Sequence, residues 1–394
     1  MFRKLLILGF ILFAGLAKAQ NVPNPPSPFN PPRVSKTTNY SPAAWECGSL
    51  FALGGNSYFV ITINAATSYT ANCSFTFVNE DSGRAKLIYI PTANPTYFYL
   101  WPLQSVTVYN ENNTWQTQGR SRWRIPALTH FCIDLVSGSA SADGLATSGA
   151  GCLNSFQNLY NLLAQEIDQN GQNLTIDFVA GQTDNLGTGL FPDFNVYGPL
   201  VGNGGWNSGV LTIDGHGTTL SPSGATWCLA VQVATAAVVT QNFTVTGCTY
   251  GIAVGAPGIY TFNNMTFGPA TGAHILASGS GSIATVLGTT TFLASANAPY
   301  HFLATQDGTI DDCSTTVTTS GGGAGSVTFT SGYAGAVNKG LVQAKACNGT
   351  ATFNGTFVGP RFNADYLSLI TGMGSSTYYP GNAGGTATNS SYAN

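Results

Sequence analysis

From Ser221 to Gln306 the chain contains no Asp, Glu, Lys or Arg. An amphipathic helix presents a charged or strongly polar face to water, and none can be drawn across this span. Short strands can, because hydroxyls, amides and turns suffice to solvate their outer sides. Short apolar motifs recur through the span and beyond it: Phe243-Thr-Val245, Met265-Thr-Phe267, Thr290-Thr-Phe292, Val327-Thr-Phe329 and Gly355-Thr-Phe357. A second apolar segment follows four of them, at Gly251–Val254, His274–Leu276, His301–Leu303 and Tyr366-Leu367. An imperfect period of roughly 20–30 residues with apolar side chains at one phase is what a β-solenoid requires, since no coil can bury its apolar face alone. The interval between the third and fourth motifs is wider and calls for an insertion, or for a rung that the motif does not match. The fold class read here is all-β, a right-handed parallel β-helix.

The rest of the chain divides around this shaft. Arg3 and Lys4, the apolar run Leu5–Ala17 and the small residues of Ala17-Lys18-Ala19 predict a signal peptide over residues 1–19, and hence export. The apolar run is too short to span a bilayer and no later segment is long enough, so no membrane span is expected in the mature chain. Residues 20–44 hold seven of the nineteen prolines and read as a stiff linker. Residues 45–126 carry four of the six Trp and the alternating strands Cys73–Phe77 and Ser105–Tyr109, which predicts a small antiparallel β module with an aromatic core. Leu153, Phe156, Leu159, Tyr160, Leu162, Leu163 and Ile167 share one helical face, so a helix over 153–167 is expected to cap the shaft. The shaft itself is assigned to 127–370, and 371–394 to an uncharged tail.

All eight cysteines follow the leader. Cys132 and Cys152, like Cys228 and Cys248, stand twenty residues apart, close to one coil, so each pair is placed to stack as a disulfide. Unpaired buried thiols remain the alternative reading for a chain folded in a reducing compartment. With no CxxC and four His, no metal or other cofactor is expected.

The candidates for chemistry flank the charge-free span. Asp307, Asp311 and Asp312 lie just after it, and Asp214-Gly-His216-Gly just before it. An Asp-Asp and a Gly-His-Gly are pieces of the polygalacturonase pattern, but there the Gly-His-Gly follows the acids, and the companion motifs are missing here. Asp307-Gly308 reads as a turn, and the Asp311-Asp312 pair as solvated or turn-capping. Arg120, Arg122 and Arg124 alternate with Ser121 and Trp123, so an extended strand would put three guanidinium groups on one face, able to grip an anion or acidic sugar or to pair with carboxylates.

Three stretches resemble phage and prophage tail proteins built on right-handed β-helix repeats: Phe98–Pro102 through Tyr109–Trp115 and Gly119–Pro126; Asp134, Gly138 and Asp143-Gly144-Leu145 on to Tyr197–Gly202; and Tyr378–Gly384. The resemblance implies a structural or receptor-facing role in a virion tail, usually as a homotrimer, with other virion or tail proteins as partners. The signal peptide departs from that pattern and points to an exported relative. A net charge of −3 gives no steering toward nucleic acid. The expectation is therefore a non-catalytic protein binding a cell-surface polysaccharide. The rival readings are a polysaccharide depolymerase, a hydrolase or lyase using Asp307, Asp311 or Asp312, and a secreted bacterial surface protein that reuses the fold.

Overall fold

The computed structural model describes residues 33–90, 97–184, 195–196, 209–222, 224–232, 237–255, 257–320, 326–344, 351–372, 378–388 and 392–393. The expected signal peptide, the proline-rich part of the linker up to residue 32, and Tyr197–Gly202 lie outside them.

The chain is mostly β, with long parallel sheets and, among the described residues, one α-helix. Its strand order is solenoid-like. In one sheet Thr129–Ile133 pairs with Leu174–Phe178, and the ladder continues through Leu211–Asp214, Ala237–Gln241, Gly258–Asn263, Ser282–Phe292, Thr309–Thr319, Leu341–Ala344, Leu369–Thr371 and Tyr392–Ala393, every step parallel. A second parallel ladder runs from Asn195–Val196 through Trp227–Val231, Tyr250–Val254, Ala273–Ser278, Ala298–Thr305 and Ser326–Val337 to Phe362–Ala364 and Thr386–Ala387. Between the two, short strands stack separately, Thr183–Asp184 on Thr219–Leu220 on Thr244–Val245 on Thr266–Phe267.

Register follows from the alternation of side chains along a strand. Leu174, Leu211, Val238, Tyr260, Ala284, Ile310, Val342 and Ile370 occupy one stacked position, and all are buried. Two residues on, Ile176, Ile213, Thr240, Phe262, Val286, Asp312 and Ala344 form the next stack. These columns belong to one continuous core that runs from Ala85 to Tyr379.

The recurring motifs divide between two ladders. Thr244–Val245, Thr266–Phe267 and Thr291–Phe292 stack in register, and the next rung is Thr318-Thr319, which carries no aromatic residue and so escapes the motif. Val327-Thr-Phe329 instead pairs with Phe357-Val358 and its neighbours on a separate ladder. Tyr366-Leu367 is not a strand: both residues are exposed and both have positive φ, at 52° and 59°, in a turn.

The flanking regions also differ from expectation. Residues 33–41 lack proline and are free to pair, so Arg33–Lys36 forms a strand parallel to Leu50–Leu53 and Tyr40 bridges Ile61. The module that follows is mixed rather than antiparallel. Leu50–Leu53 pairs in parallel with Ser74–Asn79, which then pairs antiparallel with Ser105–Glu111. Phe51, Phe75, Phe77, Tyr69 and Trp115 fill its core, whereas Trp45 is 83% exposed and Trp101 is buried in the core of the parallel sheets. The uncharged tail carries two rungs of those sheets and buries Tyr379 against Tyr333. No helix among the described residues is long and apolar enough to cross a membrane.

Candidate functional site

The helix is Phe156–Glu166, shorter at both ends than the apolar pattern suggests. Ser155 caps it, its hydroxyl accepting from the Asn158 N–H at 3.1 Å, so Leu153 and Asn154 fall before the first turn. Ile167 leaves the helix to pair in parallel with Trp123. Phe156, Leu159, Tyr160 and Leu163 are buried in the core, with Phe156 stacked on Phe178 at 6.5 Å. The opposite side presents Asn158, Asn161 and Gln165 to a cleft of about 430 Å³.

The far wall of that cleft is the strand Tyr97–Leu100, together with Arg120. Tyr97 is 54% exposed, while Phe98 and Tyr99 are anchored, the Tyr99 hydroxyl donating to the Ala142 carbonyl at 3.0 Å. Arg120 pairs with Glu166 at the cleft edge and lies 5.3 Å over the Phe98 ring. An aromatic face, several amides and one ion pair around a concave surface form the chemistry by which proteins hold polar, ring-shaped ligands.

The three arginines do not share a free face, because 120–124 is extended as a strand only at Trp123-Arg124. All three converge on the end of the helix. Arg120 pairs with Glu166, Arg122 donates to the Ala164 and Ile167 carbonyls at 2.6 and 3.2 Å, and Arg124 contacts Asp168 at 3.4 Å and Asn170. Those carbonyls are the acceptors that a helix C-terminus leaves unpaired, and cations are favourable there. Trp123 stacks on Trp101 at 5.3 Å with the rings 4° from parallel, so one of its faces is already covered. Of these four candidates Arg120 alone lines the cleft.

The acidic candidates are dispersed. Asp307 is exposed in a turn with φ of 63°. Asp311 and Asp312 are consecutive on Thr309–Thr319 and so project to opposite sides of the sheet. Asp312 stands in the inner column between Val286 and Ala344, and burial raises its pKa to about 6. Asp311 lies on the outer side of the strand but is also buried, accepting from Gln343 Nε2 at 2.5 Å, so the pair is neither solvated nor turn-capping as the sequence suggests. Two carboxyl groups on opposite sides of one strand cannot flank a common glycosidic bond.

The cysteines are paired both in the module and along the rungs. Cys132 is bonded to Cys152, Cys228 to Cys248 and Cys47 to Cys73, and Cys313 is also disulfide-bonded. The loop 134–152, which contains several residues of the phage-tail resemblance, is held both from within and by Arg84. Asp134 accepts from the N–H groups of Val136, Ser137 and Gly149, and buried Asp143 takes two hydrogen bonds from Arg84. A side chain at Gly138 would place its Cβ 2.3 Å from the Asp134 carbonyl oxygen, so glycine is required there.

Tyr97, Asn158, Asn161 and Gln165 were invisible as a group in the sequence, because exposed amides on a helix are the ordinary polar side of an amphipathic pattern. Only the docking of Tyr97–Leu100 against that side makes a cleft of it. Among the described residues, Asp177, Asp214 and His216 bring metal-ligating atoms within 4.8 Å of one another. Comparison of the chain with protein-family models, with curated proteins and with solved structures found no match.

Proposed function

We propose that the chain is a right-handed parallel β-helix that binds a cell-surface polysaccharide without cleaving it. The right hand is the one that connections between parallel strands take in about 98% of cases. The observation that carries the binding reading is the cleft between exposed Tyr97 and the amide face Asn158, Asn161 and Gln165, edged by the Arg120–Glu166 pair. A tyrosine face suits the apolar side of a sugar ring, and the amides suit its hydroxyls. Each such contact is weak, and presentation on a homotrimer would multiply them by avidity. The resemblance to phage tail proteins supports a receptor-facing place in a virion tail, and the leader supports export. Detection of the chain in particles or in culture medium separates these two settings.

The test is binding of the purified protein to a panel of bacterial capsules and lipopolysaccharides, with the same mixtures assayed for new reducing ends and unsaturated sugars. The expected result is saturable binding to at least one polysaccharide, weakened at least tenfold by Tyr97→Ala and by Asn158→Ala, with no new ends. Absence of binding across the panel, or binding that both variants leave intact, overturns the reading. New ends establish the depolymerase instead.

A further inference from the structure

We infer that the outer wall of the first three described rungs is a binding site for one divalent transition-metal ion, ligated by Asp177, Asp214 and His216 with His130 behind them. The residues come from three adjacent parallel strands. His130 lies on Thr129–Ile133, Asp177 on Leu174–Phe178 and Asp214 on Leu211–Asp214, with His216 in the turn that follows. The register sets Asp177 directly opposite Asp214, and both point away from the core columns. His216 reaches back over both carboxylates, its Nε2 3.2 Å from Asp177 Oδ1 and its Nδ1 3.7 Å from Asp214 Oδ1.

Charge balance gives the first argument. Like charges directly opposite on neighbouring strands repel. Five other carboxylates in this chain are met by cations, Glu80 by Arg33, Asp143 by Arg84, Asp81 by Lys86, Glu166 by Arg120 and Asp168 by Arg124, while others such as Asp134 are held by N–H groups alone but do not face a second acid across a ladder. Among the described residues no Lys or Arg forms an ion pair with Asp177 or Asp214; the partners there are imidazoles. A divalent ion supplies the missing positive charge, and imidazole is the commonest protein ligand for one.

Geometry gives the second. Ligands of a four-coordinate ion at ~2.0–2.2 Å stand roughly 3.4 Å apart; the 3.2 Å between His216 Nε2 and Asp177 Oδ1 is of that size, and with one atom from each of the three residues the set lies within 4.8 Å, so a small side-chain closure completes it. The carboxylates are also oriented from behind. Asp214 accepts from Gln241 Nε2 at 2.6 Å, Asn242 Nδ2 at 2.9 Å and the His216 N–H at 3.0 Å, while His130 Nδ1 lies 2.6 Å from Asp177 Oδ2. Such outer partners hold ligands in place before an ion arrives. A mixed imidazole and carboxylate set selects an ion such as Zn²⁺ or Mn²⁺ over Ca²⁺, which takes oxygen ligands. Bound here, the ion joins two adjacent rungs, with a third held to them through the His130–Asp177 contact.

The experiment uses the full-length protein without a histidine tag, stripped with chelator, then titrated calorimetrically with ZnCl₂, MnCl₂ and CaCl₂ and unfolded thermally in each. The expected result is uptake of one transition-metal ion per chain with a raised unfolding midpoint, and no saturable uptake of Ca²⁺. Asp177→Asn and His216→Asn, the latter chosen because asparagine tolerates the φ of +46° at that position, each weaken uptake at least tenfold, and His130→Phe does so roughly 10–100-fold through Asp177. Absence of saturable uptake by the unmutated chain overturns the proposal, as does Ca²⁺ binding as tightly as Zn²⁺, or unchanged affinity in the folded Asp177→Asn/His216→Asn variant.

Discussion

Asp312, His274 and His301 are ionisable groups sealed inside a column of apolar side chains, and each is an acid–base cost written into the fold. Burial raises the Asp312 pKa from 3.8 to about 6, so the folded chain holds this proton more tightly than the unfolded one. Its contribution to stability is complete below about 3.8 and is lost as pH rises through about 6. Asp312→Asn removes the titration, and is expected to raise stability at pH 8 by on the order of 3 kcal/mol over the native chain, an advantage that shrinks toward pH 4. Urea unfolding at the two pH values measures it. The histidines act with the opposite sign. Burial depresses His274 from 6.5 to about 3 and holds His301 well below its ordinary value, with their Nδ1 atoms 3.2 Å apart. The stability they confer is present above pH 6.5 and drains away toward pH 3. Native stability should therefore fall on acidification below 6.5, and His274→Asn should flatten that slope in the same urea series; an unchanged slope would place the acid sensitivity elsewhere.

At the scale of elements, the helix shows how a local signal sets an end. Ser155 satisfies an N–H that the first turn leaves open, and Ser155→Ala is expected to cost about 1 kcal/mol, read by urea midpoint, with the cleft wall loosened and polysaccharide affinity lowered alongside. The helix and the stacked rungs were legible in the sequence because 3.6-residue spacing and recurring Thr-Phe or Thr-Val dipeptides are local patterns. The unmatched rung, Thr318-Thr319, was not, because stacking demands register and tolerates a threonine where its neighbour carries Phe292. The inward turn of Asp312 was hidden for the same reason, since only pairing with Val286 fixes which side of the strand it occupies. The proposed metal site was hidden more deeply. Asp214 and His216 stood out together in sequence, whereas Asp177 and His130 join them only once three strands have stacked. The arginine trio shows the converse: its spacing is plain in sequence, yet the strand that would align the three is two residues long.

At the scale of the whole molecule, the aromatic module has a core of its own around Phe51, Phe75 and Trp115, yet part of it packs into the core of the parallel sheets. Leu87, Tyr99, Trp101 and Ile125 share a core with the rungs, and the buried Asp143–Arg84 pair ties the loop 134–152 to the module. The disulfides work along the same axis. Cys228–Cys248 closes a loop of sequence separation 20 between successive rungs, which restricts the unfolded chain by about 3 kcal/mol in the chain-entropy description. Replacing both with serine is expected to lower the unfolding free energy by roughly 2–4 kcal/mol, seen as an earlier urea midpoint with the same final signal; no shift would mean that the rungs alone fix that register.

The stretch from Ser221 to Gln306 puts several rungs of wall in contact with solvent without one Lys, Arg, Asp or Glu. Dissolved ions act on fixed charges through a screening length of about 8–10 Å at ordinary strengths, and the stretch itself offers none; acids such as Asp214 and Asp311 stand at its two ends. Whatever touches the middle of this part of the wall is held with little help from fixed charge, so its grip should vary far less between rainwater and dilute brine than that of a charged surface.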